Sequence, residues 1–151
     1  GGGVELITES GEPLMSPEPV TGNHQIQQEA LAGRTPISHP SVMMRADAFR
    51  DVGGYHGDTY PAEDLDLFLR LGEIGELDNI PSVLLRYRMH GTSVSVRLSD
   101  QQVRKMREAC EAAWIRRGIT GRFAVSIESK AATPGCPIGA NPTASALAGR
   151  V

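Results

Sequence analysis

The spacing of apolar residues predicts a short series of alternating elements. Residues 4–8 form a brief run of strand-forming side chains, and ESGEP after it supplies turn residues. The segment NHQIQQEALAG, 23–33, predicts a helix that Asn23 can cap and Gly33 can stop, with Ile26, Ala30 and Leu31 on one face. ISHPSVMMR, 37–45, places Val42, Met43 and Met44 in a row, which predicts a strand buried on both sides. ADAFRDVGGY is a short helix closed by Gly53 and Gly54, which permit a left-handed cap or a close backbone approach. In YPAEDLDLFLRLGEIG, 60–75, Leu65, Phe68, Leu69 and Leu71 stripe one side of a helix, while Arg70 and Glu73 point elsewhere. Period-two alternation in NIPSVLLRYRMH, 79–90, sets Val83, Leu85 and Tyr87 against Leu84, Arg86 and Arg88 and predicts a strand. Ser99 and Gln102 form a capping box for a helix over 100–117, whose stripe is Val103, Met106, Cys110, Ala113 and Trp114 and whose stop is Gly118.

These elements predict an α/β or α+β fold, a short mixed sheet with flanking helices. They end near residue 120. Beyond it TPGCPIGANPTASALAG is small, polar and rich in Pro and Gly, which predicts a flexible tail over 121–151 behind one domain over 1–120.

Composition removes some classes of partner. A net charge of -3 argues against nucleic acid or an anionic membrane. No apolar run approaches the roughly 18 residues a membrane span needs, no signal peptide opens the chain, and cytoplasmic residence is expected. Thirteen of the 15 basic residues are arginine, the side chain suited to carboxylate and phosphate. The two cysteines, Cys110 and Cys136, form no metal-type pair; Cys110 reads as a small core residue and Cys136 as a free thiol in the tail.

The candidate chemistry begins with Glu63 and Asp64 at the head of the fifth predicted segment, the helix over 60–75. Acids there also complement a helix dipole, so the pair alone is unremarkable. His90 after a strand and Gly53-Gly54 after a helix are equally unremarkable one by one. Asp66 reads as a local cap or hydrogen-bonding group, His24 and His56 as surface, and Trp114 as core.

Taken together, HPSVMMRADAFRDVGGY, AEDLDLFLRL and NIPSVLLRYRMHGTSVS, in this order and spacing, resemble the C-terminal half of the catalytic domain of family-2 glycosyltransferases, which have the GT-A fold. The resemblance covers roughly residues 1–98. It implies that Asp64, with Glu63 beside it, is the catalytic base. It implies that Gly53, Gly54 and Tyr55 shape the donor and acceptor site, and that His90 lies near the donor diphosphate and a divalent metal, Mg or Mn. Arg86, Arg88 and His90 share one face by alternation, which makes the arginines candidates for phosphate contact; His39 is a candidate for the acceptor pocket. The implied partners are a nucleotide-sugar donor and a glycan or lipid-linked acceptor, in cell-envelope glycan synthesis. The family's nucleotide-binding half, with its DxD motif, has no counterpart before residue 40. The chain by itself is therefore expected to be inactive and to bind no metal tightly, with a sheet face left uncovered that could form a homodimer. The competing reading is a non-catalytic interaction module with inherited motifs.

Overall fold

The computed structural model of the chain describes residues 1–91, 99–120 and 123. Three strands, β1 (Gly2–Ile7), β2 (Pro13–Met15) and β3 (Ile80–Arg88), make one sheet in the order β2-β1-β3. β1 is antiparallel to β2 and parallel to β3. A parallel pair needs a crossover, and here the crossover carries three helices: α1 (Asn23–Leu31), α2 (Ala46–Asp51) and α3 (Glu63–Ile74). α4 (Ser99–Arg116) follows the sheet. The fold is thus mixed α/β with a small mixed sheet and flanking helices, compatible with a partial GT-A-like domain. The tail expected over 121–151 lies, except for residue 123, outside the described residues.

Glycines let β1 and β3 come close. A Cβ on Gly3 would stand 3.1 Å from the Ser82 carbonyl oxygen, so a side chain there would crowd the backbone of the neighbouring strand. Between β1 and β2 the turn closes through Thr8 N–H to Glu12 O at 2.8 Å and Gly11 N–H to Thr8 O at 3.0 Å. β2 escaped the sequence reading because three residues beginning with Pro13 look like the continuation of a turn.

Helices hold most of the core. Leu65 and Leu69 of α3 pack with Ala30 of α1 and with Ala109, Cys110 and Ala113 of α4. Leu67, Phe68 and Leu71 pack on the other side with Ile26 and Ile37, and with the partly buried Val42, Met44, Ala48, Phe49 and Leu77. α3 is therefore buried along 65–71 on nearly every side, rather than on one stripe. Arg70, expected to point away from the core, is buried too. The reason is tertiary: α1 and α4 cover one flank, and Ile26 of α1, α2 and the 37–44 segment cover the other.

The double-sided strand expected over 37–45 does not form. His39–Ser41 is a single 3-10 turn with Pro40 at its start, and Met43 is 94% exposed. Pro40 has no N–H to give a ladder, and Val42 and Met44 serve the core by packing on the helices instead.

The helix stops behave as expected. α1, α2 and α4 each end in a Schellman pattern with Gly33, Gly53 or Gly118 at positive φ. The start of α1 differs. Gly22, not Asn23, is the cap, and Asn23 Oδ1 accepts hydrogen bonds from Leu77 N–H at 2.9 Å and Gln27 Nε2 at 3.3 Å. Of the capping box for α4, the side chain at 99 lies outside the described residues; Gln102 Nε2 donates to Pro61 O at 3.0 Å.

Candidate functional site

The glycine turn after α2 organises the candidate residues. Gly53 N–H bonds Arg50 O at 3.0 Å and Gly54 N–H bonds Phe49 O at 2.9 Å. Both glycines take left-handed φ, +81° and +66°. A Cβ on Gly54 would lie 3.1 Å from the Phe49 ring, so the turn wants glycine for space as well as for conformation.

The turn delivers Tyr55. Its ring leans on Phe49 at 5.5 Å between centroids, and its hydroxyl lies 2.8 Å from His39 Nε2. His39 in turn stands edge-on to Phe68 of α3, 6.3 Å away. The 3-10 turn at His39–Ser41 thus aims its imidazole across the front of α3.

Glu63 and Asp64 are half-buried in the first turn of α3. Ala62 caps that helix without a side-chain bond, and Asp64 Oδ1 accepts the Leu65 N–H at 2.8 Å. The Tyr55 phenol is pushed above its ordinary value, first by burial, then by the charges of Asp64 and Glu63. Both carboxylates are therefore within electrostatic reach of the phenol. Tyr55, His39, Gly54, Glu63 and Asp64 form one neighbourhood.

Arg86, Arg88 and His90 occupy the sheet side. Arg86 Nε pairs with Glu5 Oε2 at 2.7 Å, across the β1–β3 ladder. Arg88 Nη1 bonds the carbonyls of Thr8 and Glu9, at 3.2 and 2.6 Å. His90 is exposed just beyond the end of β3. Among the described residues no three His, Cys, Asp or Glu side chains gather where they could hold a metal. The described residues therefore do not make up a metal site around His90, and no chemical step here is assigned to one.

Sequence reasoning missed the pairing of Asp66 with Arg70. Arg70 Nε and Nη2 bond Asp66 Oδ2 at 3.0 and 2.7 Å. The signal was present as an acid and an arginine four residues apart inside an apolar run. The spacing alone does not single the pair out, because charged residues in a helix are usually solvated.

Two cavities lie near this neighbourhood. The larger, about 430 Å³, is floored by Ile37, Val42, Phe68 and Leu71; the smaller, about 260 Å³, is bordered by His56, Asp66, Arg70 and Lys105. Tyr55, Glu63 and Asp64 line neither of these two. No helix among the described residues is long and apolar enough to cross a membrane.

The chain is similar to an uncharacterized glycosyltransferase of Haemophilus influenzae, 28% identical over 110 residues. The match takes in 68% of this chain and 34% of the relative, so the chain spans about a third of that protein's length. No family model matches, and no solved structure matches.

Proposed function

We propose that this chain is the acceptor side of an inverting family-2 glycosyltransferase, with Asp64 as the base. The observation that carries the reading is the glycine turn set against α3, where Tyr55 bonds His39 and His39 stands edge-on to Phe68, one helical turn along from Asp64. The similarity to a glycosyltransferase supports it.

In the proposed step an acceptor hydroxyl oxygen forms a bond to the anomeric carbon of the donor. The bond from that carbon to the diphosphate breaks, and its electron pair leaves with the diphosphate. The hydroxyl proton passes to the Asp64 carboxylate, which accepts it only as the new bond forms. Asp64 Oδ1 is engaged by the Leu65 N–H, which orients the group and leaves Oδ2 for the proton. Glu63, Tyr55 and His39 would bind and orient the acceptor. Arg86 and Arg88, with His90, would face the diphosphate. A metal on that diphosphate would draw its further ligands from outside the described residues.

By this reading the nucleotide half comes from elsewhere in a longer polypeptide, the chain alone is inactive, and the exposed sheet supports a homodimer. The test is Asp64→Asn in a polypeptide that transfers sugar. Turnover should fall by about 10² to 10⁴, the usual contribution of a positioned base, while donor affinity by calorimetry stays near wild type. Turnover that survives within tenfold removes Asp64 from the role.

A further inference from the structure

Asp66 and Arg70 lie one helical turn apart on α3, with side chains 7% and 9% exposed. Buried charges persist when every polar atom finds a partner. Here the partners lead to the glycine turn. Arg70 Nε and Nη2 take Asp66 Oδ2. Arg70 Nη2 also donates to the carbonyl of Gly54 at 2.8 Å, and Nη1 donates to the carbonyl of Val52. Those two carbonyls flank Gly53, the residue at which the chain reverses after α2. His56 Nδ1 stands 3.5 Å from the same Asp66 oxygen. The segment 52–56 is thus fastened at three points to one turn of α3, and it presents Tyr55 on its other side to His39.

We propose that Asp66 and Arg70 are positioning residues: their pair locks the turn at 52–56 onto α3 and so sets the reach between Tyr55 and the carboxylates of Glu63 and Asp64. This rests on the reading of those acids as the reacting site. The planar guanidinium suits the task because its fork meets a carboxylate and two carbonyls at once. An ammonium is a point charge on a flexible stem and cannot hold all three in that geometry.

The test uses the 151-residue chain with tyrosine Cζ labelled with carbon-13 and Tyr55 assigned by its loss in Tyr55→Phe. In the wild type Tyr55 should titrate above the ordinary phenol value of 10.0, because burial and the two acids oppose the phenolate. In Arg70→Lys the released turn should let the midpoint drop to the ordinary value, with far-UV circular dichroism and Trp114 fluorescence unchanged. A folded Arg70→Lys chain with an unmoved Tyr55 midpoint overturns the proposal. Should Arg70→Lys fail to fold, amide exchange in the wild type decides. The Gly53 and Gly54 amides should exchange as slowly as the middle of α3, within about tenfold, since locked elements open together. Faster exchange overturns the lock. Neither readout involves donor or acceptor, so a failure here is distinct from survival of turnover in Asp64→Asn.

Discussion

Cys110 shows what burial does to one titratable group. Its side chain is fully buried, with Sγ 3.5 Å from the Ala30 carbonyl oxygen. Burial pushes the thiol up from 9.0 to about 12, opposed by the Gly33 amide and aided by the charge of Glu111. The group is neutral in the fold and more acidic in the unfolded chain, so its contribution is complete below pH 9.0 and is lost as pH climbs toward about 12. The phenol of Tyr55, also raised, acts with the same sign. Urea unfolding at increasing alkaline pH should therefore show falling stability, with a slope approaching about 1.4 kcal/mol per pH unit. Cys110→Ala should flatten the slope; an unchanged slope would assign it to other groups. That Cys110 is a core residue was legible from its place on the α4 stripe, because burial of a small apolar side chain follows from helical period.

α3 shows where helical period misleads. Leu65, Phe68, Leu69 and Leu71 read as one stripe, but Phe68 and Leu71 pack with the fully buried Leu67 on the flank opposite Leu65 and Leu69. A helix that is apolar on several faces is one enclosed by neighbours, and here α1, α4, α2 and the 37–44 segment enclose it. Leu67→Ala should lower stability by about 2 to 5 kcal/mol in urea unfolding, the range for a buried leucine. Ile74→Ala at the exposed end of the same helix should change it by less than about 0.5 kcal/mol. A loss at Leu67 as small as that at Ile74 would mean that the second flank is not packed. The same enclosure explains Arg70. A charged residue in a surrounded helix must find partners, and the glycine turn and Asp66 are what α3 offers it.

At the scale of the whole molecule the sheet stands apart from the core. Ile80, Val83 and Leu84 are each about half exposed, as are Leu14 and Met15 of β2. Apolar side chains gathered on a sheet edge favour contact with another surface. The chain should self-associate at high concentration in light scattering, and Val83→Lys should shift it toward monomer. A wild type that stays monomeric at every concentration would leave the sheet face without a partner of its own kind. The sheet also explains why β2 was not foreseen: a three-residue strand is made by its pairing with Leu6 and Ile7, not by its own pattern.

The sequence by itself determined the local features: the α/β alternation, the helix stops at Gly33, Gly53 and Gly118, the strand over 80–88 and the acidic start of α3. Each depends on residues a few positions apart, through turn chemistry or side-chain period. Only the tertiary structure decided that 37–45 would bend and not pair, that α3 would be enclosed, and that His39 would meet Tyr55 across 16 residues. It also decided that Arg70 would hold the turn in front of it. Those outcomes depend on which surfaces meet, and partners far apart in the chain leave no period in it to read.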